Sequence, residues 1–148
     1  MAFTRPVPKP RICSKEIGER AEAIIIAKLL GCNYTVLVPF GDSQHYDIVI
    51  EDGNRQFWRI QCKTGRYKQG SISFPCSHVP GGGRRDYSRV GYEGLADYFA
   101  VYSKDFNAVY LVPVGDVGTN QALLRVDPLK RDERYMPKST RWAKDYEL

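Results

Sequence analysis

Four side chains, Glu22, Asp47, Gln61 and Lys63, have types and spacings that suit a hard cation working on a phosphate. Asp47 sits inside the alternating run Tyr46 to Glu51, where a strand disfavours Asp and propensity gives no reason for it. Gln61 and Lys63 are two residues apart in the next alternating run, Gln56 to Lys63, and so share one face. Asp52-Gly53-Asn54 between the runs is a strong hairpin signal that brings Asp47 beside them. Glu22 lies three, four and seven positions before Ile25, Ile26 and Leu29, on the inward side of a helix. Glu19, one turn earlier, is the alternative helix acid. Two carboxylates, an amide oxygen and an ammonium group thus converge. Oxygen donors suit Mg²⁺, with Mn²⁺ as a substitute, because Mg²⁺ keeps several waters and needs only one or two carboxylates. A bound cation polarises a phosphate and acidifies a bound water. A neighbouring Lys can position or deprotonate that water and offset charge in the transition state. Each residue alone has a plainer reading: Asp47 as a turn cap with Ser43, Gln61 and Lys63 as a solvated strand face, His45 as a loop residue.

The elements that must position these groups follow from periodicity. Ser14 is predicted as the N-cap of a helix over Lys15 to Leu30, ended by Gly31 and Asn33. Strands are predicted at Tyr34 to Val38, Tyr46 to Glu51 and Gln56 to Lys63. The second of these places Ile48 and Ile50 opposite Asp47 and Val49. The third places Trp58, Ile60 and Cys62 opposite Phe57, Arg59, Gln61 and Lys63. Thr64 to Leu95 reads as irregular, with a short strand at Ser71 to Pro75 and a basic loop at Gly81 to Arg85. Near-continuous apolar runs at Asp97 to Tyr102 and Ala108 to Val114 suit the buried middle of a sheet. A turn of helix at residues 115–118, an edge strand at Ala122 to Val126 and a polar tail anchored by Trp142 complete the chain. Residues 1–13 read as a flexible basic arm, and 14–148 as one domain.

Composition narrows the function classes. The 148 residues are 43% apolar and 26% charged, a globular balance rather than a disordered one. No apolar run is long enough to span a bilayer. The start carries Pro6, Pro8 and Pro10 and no apolar segment, which argues against a secretory signal and for a cytoplasmic, nucleoid-associated protein. Lys and Arg total 22 against 17 Asp and Glu, and this excess of +5 favours a polyanionic partner. Cys13, Cys32, Cys62 and Cys76 form no CxxC pair. Cys76 and His78 lack a second pair at zinc-finger spacing, so the cysteines read as reduced thiols.

The stretch RIQCKTG, after HYDIVIEDG and with GERAEAIIIAKLL upstream, resembles the PD-(D/E)XK nuclease superfamily. Within it the chain is most similar to the small homing endonucleases associated with group I introns. Glu22, Val38-Pro39-Phe40-Gly41-Asp42, Tyr46-Asp47 and Gln61-Cys62-Lys63-Thr64-Gly65 carry the likeness, joined by Tyr92, Asp97 before YFAVY, and YLVPV at 110–114. The resemblance implies an α/β, restriction-endonuclease-like fold, an αβββαβ core around a central mixed sheet, and metal-dependent, sequence-specific cleavage of duplex DNA. It makes Asp47 the principal metal ligand, puts Gln61 in the usual acidic position and turns the Cys62 carbonyl toward the metal. Lys63 becomes the catalytic lysine and Glu22 the helix acid. Two departures stand out. Gln61 is neutral, and the second core helix, due before Asp97, is not evident.

Arg66, Lys68, Arg84, Arg85 and Arg89, interleaved with Tyr67, Tyr87 and Tyr92, follow the catalytic strand and suit contacts to DNA phosphates and a groove. Ser43 and Gln44, on the loop before Asp47, are further candidates. Lys130, Arg131, Arg134, Lys138, Arg141 and Lys144 read as a soluble basic tail. One such site cuts one strand, so a homo-oligomer, dimer or tetramer, is expected on a near-palindromic duplex. The alternatives are a Holliday-junction-resolvase-like nuclease, a catalytically decayed DNA-binding module and an interaction protein without a nucleic-acid role.

Overall fold

The computed structural model describes residues 5–9, 12–79, 88–128 and 138–148. Helix α1 is Ser14–Gly31. Its N-cap is Cys13 rather than the expected Ser14. Glu16, three residues on, reaches back to accept the Cys13 N–H at 2.9 Å, which satisfies a donor that the helix leaves free. At the other end Asn33 takes the left-handed conformation, with φ 65. The Asn33 N–H donates to the Leu30 carbonyl, and the Tyr34 N–H to that of Leu29. This is a Schellman closure, and Tyr34 and Leu29 pack in the same core cluster. Asn33 therefore stops the helix, while Gly31 is its last residue.

The strands are β1 (Thr35–Leu37), β2 (Ile48–Glu51), β3 (Phe57–Lys68), β4 (Ser71–Pro75), β5 (Ser77–His78), β6 (Val90–Gly91), β7 (Tyr98–Ser103), β8 (Ala108–Pro113) and β9 (Gln121–Arg125). β1, β2 and β3 form an antiparallel meander. Asp52 organises its hairpin: one carboxylate oxygen accepts the Asn54 and Gln56 N–H groups, and the other accepts Trp58 Nε1. The left-handed residue of that turn is Arg55, not Gly53.

β3 runs to Lys68, five residues past its expected end. It then turns back through Gln69 and Gly70, both at positive φ, as a two-residue hairpin requires. Gly65 is the reason the strand can continue. A Cβ there would lie 2.6 Å from Ile72 Cγ2 and 2.9 Å from Val101 Cγ1. β7 pairs with β3 in parallel, from Ile60 beside Tyr98 to Gly65 beside Ser103, and β8 pairs antiparallel with β7. β9 pairs antiparallel with β4, and the one parallel pair, β3 with β7, makes the described sheet mixed, as expected.

The connection from β3 to β7 differs from expectation. Among the described residues α1 is the one α-helix, and no second core helix precedes β7. A single turn stands there, in which the Leu95 and Ala96 N–H groups donate to the Tyr92 carbonyl.

One face of the sheet packs on α1 through Ile25, Leu29, Ile48, Ile50, Ile60, Ala100 and Val109. Each fully buried Ile or Leu side chain here contributes about 1.5–3 kcal/mol. The other face buries Ile72, Phe74, Tyr92, Phe99, Val101, Val112 and Leu124. Residues 141–148 are a docked segment rather than a loose tail. The Leu111 N–H donates to the Tyr146 carbonyl, the Leu148 N–H to Val109, and the Arg125 N–H to Arg141. Among the described residues no helix is long and apolar enough to cross a membrane.

Candidate active site

β2 and β3 part company at Asp47. Its N–H still donates to the Ile60 carbonyl at 2.9 Å, one step beyond β2. The next ladder position on β3, the Cys62 N–H, has a side chain as partner: it donates to Asp47 Oδ2 at 2.7 Å. The same oxygen accepts Gln61 Nε2, also at 2.7 Å. An acid at this position thus replaces a backbone acceptor, which accounts for an Asp at the mouth of a strand.

Asp47 is reached from both faces of the sheet. On the α1 side Glu22 is half-buried, and its carboxyl is held above the ordinary range by burial first, then by the charges of Asp47 and Glu19. Glu19 itself is exposed. On the far side is Lys63, whose charge acts on Asp47. The Asp47 carboxyl is also raised. Burial pushes it up more strongly than the Cys62 N–H, Lys63 and Gln61 pull it down. Cys62 points into the helix-side core. Burial, then the charges of Asp47 and Glu22, keep its thiol far above its ordinary pKa, so the sulfur stays neutral and only the carbonyl is a candidate donor.

Two carboxylates that repel each other in a partly desolvated corner favour a cation between them. Among the described residues no three His, Cys, Asp or Glu side chains come together as a metal-binding group. The available donors are instead the Asp47 and Glu22 carboxylates, the Gln61 amide and the Cys62 carbonyl, an all-oxygen set that fits a hard divalent ion retaining waters. Gln61 presents its nitrogen to Asp47, and half a turn of the amide brings Oε1 to the same point.

Lys63 was expected to converge with the carboxylates, and its charge does act on Asp47. Its hydrogen bond goes elsewhere: Nζ donates to the Tyr92 hydroxyl at 3.1 Å and lies 4.7 Å from the centre of that ring. Tyr92, expected among the DNA contacts, is only 6% exposed. Its ring stands between Phe99 and His78, and His78 in turn faces the exposed His45. This partnership was missed from sequence, because Tyr92 lies 29 residues from Lys63 on the turn before β7 and meets it only in the tertiary fold.

Ser43, Gln44, Arg66, Lys68 and Arg89 are exposed, as a DNA contact requires. Arg66 and Lys104 line a groove of about 600 Å³ that runs on from Thr64 along β3 toward the first turn of α1. Arg84, Arg85 and Tyr87, with Lys130, Arg131 and Arg134 of the tail, lie outside the described residues. Of the remaining tail residues, Arg141 donates to the Asp116 carbonyl and Lys144 lies over Trp142.

Comparison with known proteins agrees with this geometry. A family model described as PD-(D/E)XK endonuclease matches residues 12–148. A solved structure of a bacterial homing endonuclease, I-Ssp6803I, superposes with a TM-score of 0.68 at 25% identity, over 90% of this chain and 88% of that one. No curated protein sequence matches. The fold, the strand-borne site and the match over nearly the whole length lead to one assignment: the chain belongs to the PD-(D/E)XK endonuclease family.

Proposed function

We propose that this DNA endonuclease is divalent-metal-dependent, cleaves duplex DNA at specific sites, and serves intron homing. The observation that carries the reading is the Asp47 carboxylate, hydrogen-bonded at 2.7 Å to both Gln61 and the Cys62 N–H, with Glu22 raised by it and Lys63 acting on it. Asp47, Gln61, Glu22 and the Cys62 carbonyl would hold the cation, with Mg²⁺ the first choice and Mn²⁺ a substitute. When bound, that ion supplies Lewis-acid polarisation of the phosphate and acidification of a water. Lys63 donates to a phosphate oxygen or orients the attacking water, and its charge offsets what develops in the transition state. Glu22 takes the helix role in preference to Glu19, because Glu22 is half-buried and within reach of Asp47. Ser43, Gln44, Arg66, Lys68 and Arg89 would hold the duplex. Cutting both strands takes two such sites, hence a symmetric homo-oligomer working on intracellular DNA. The likeness to a homing endonuclease supports the homing assignment.

The test is cleavage of plasmid and genomic DNA with Mg²⁺ or Mn²⁺. Wild type is expected to give discrete fragments, and Lys63→Ala to lose cleavage while keeping DNA affinity. If about six phosphates are neutralised, log affinity falls with log salt at a slope of about −5. A wild-type chain that binds DNA but cuts none with either metal is a binding module, and the nuclease proposal fails.

A further inference from the structure

On the nuclease reading, Lys63 must present an ammonium group at a fixed point, yet four rotatable bonds separate that group from the strand. We propose that Tyr92 is the residue that positions Lys63. The contact is twofold, 3.1 Å from Nζ to the phenol oxygen and 4.7 Å from Nζ to the ring centre. The phenol cannot wander. The residue is 6% exposed, with its ring set edge-on to Phe99 at 5.4 Å and tilted against His78 at 4.9 Å.

The backbone beneath it is clamped as well. The Tyr92 carbonyl accepts the Leu95 and Ala96 N–H groups, and Arg59 ties the turn to β3. Arg59 donates to the Gly94 carbonyl at 2.8 Å and to both carboxylate oxygens of Asp97. The chemistry of the partner matters too. A carboxylate would neutralise the ammonium, whereas a neutral phenol occupies one of its three N–H groups and leaves the charge and two donors for a phosphate. The ring face adds attraction without charge.

The test is single-turnover cleavage of a duplex substrate at saturating Mg²⁺, with DNA affinity measured separately. Tyr92→Phe keeps the ring and removes the hydroxyl. The cleavage rate constant is expected to fall about tenfold while Kd for DNA stays within about twofold of wild type. Tyr92→Phe cleaving at the wild-type rate overturns the proposal. A variant-free measurement covers the case of a poorly folded mutant: in the intact, metal-free chain, nuclear Overhauser contacts are expected between the Lys63 ε-methylene and the Tyr92 ring. Their absence also overturns the proposal. A wild-type chain that cuts no DNA defeats the nuclease reading instead, and the Overhauser contacts then still report whether Tyr92 holds Lys63.

Discussion

Asp47→Asn should stabilise the metal-free chain while disabling it. The Asp47 carboxyl is held above its ordinary pKa by burial, against the opposing pull of the Cys62 N–H, Lys63 and Gln61. A folded-state pKa above the unfolded one means that the ionised form is disfavoured by folding. Metal-free stability is therefore highest below the unfolded value. It falls as pH rises through the folded value and stays low at neutrality. Asparagine keeps an oxygen that can accept the Cys62 N–H and Gln61 Nε2, and it loses the charge that Glu22 faces. Relief of a strained functional site is worth about 0.5–2 kcal/mol. For a chain of this size each kcal/mol moves Tm by about 2–4 °C. In EDTA at neutral pH the variant should thus melt roughly 1–8 °C higher than wild type, with the gap closing in acid. With Mg²⁺ at about ten times its Kd, binding stabilises wild type by roughly 1.4 kcal/mol, or about 3–6 °C, and should leave the variant unmoved. Scanning calorimetry in EDTA and in Mg²⁺ measures all three quantities, and cleavage should drop at least about a hundredfold. If Asp47→Asn melts below wild type in EDTA at neutral pH, or if Mg²⁺ raises both proteins equally, the reasoning is wrong.

Gln61→Glu places a second carboxylate against Asp47, so the metal-free Tm should fall and Mg²⁺ affinity rise about tenfold, read by titration calorimetry. Equal affinity in the two proteins would mean that Gln61 does not face the ion. Gly65→Ala drives a Cβ to 2.6 Å from Ile72 and 2.9 Å from Val101. Overpacking of this kind costs about 1–3 kcal/mol, measured as a lower urea midpoint at unchanged slope. Asp97→Asn removes the carboxyl that Arg59 holds below the usual range. That stability is present above the unfolded pKa and lost as pH falls through the folded one, so wild type should lose its advantage over the variant in acid.

Much of this architecture was readable from local pattern. The inward face of α1, the Asp52 hairpin and the pairing of Asp47 with Gln61 all depend on residues close in sequence, where a period of 3.6 or 2 decides which side chains meet. What was missed depends on distant partners. The third strand was expected to end at Lys63, because the reason for Gly65, which lets it run on, lies in Ile72 and Val101 across the sheet. Tyr92 looked like a surface aromatic among arginines, and its hydroxyl meets Lys63, 29 residues away in sequence, through the turn that precedes β7. Ser14 has the better capping side chain, but Glu16 sits at the right offset to serve Cys13. The tail was read as polar with Trp142 as its anchor, whereas its last eight residues also dock through backbone hydrogen bonds, which side-chain patterns do not encode.

The parallel pairing of β3 with β7 also bears on the order in which catalytic competence arises during folding. The β2–β3 hairpin closes over a handful of residues and can form within microseconds, bringing Asp47 to Gln61. Lys63 meets Tyr92 across 29 residues, against 14 for Asp47 and Gln61, a closure that costs about 0.6 kcal/mol more chain entropy. A chain in which the hairpin has closed and β7 has not yet docked therefore holds Asp47 against Gln61 while Lys63 still lacks Tyr92.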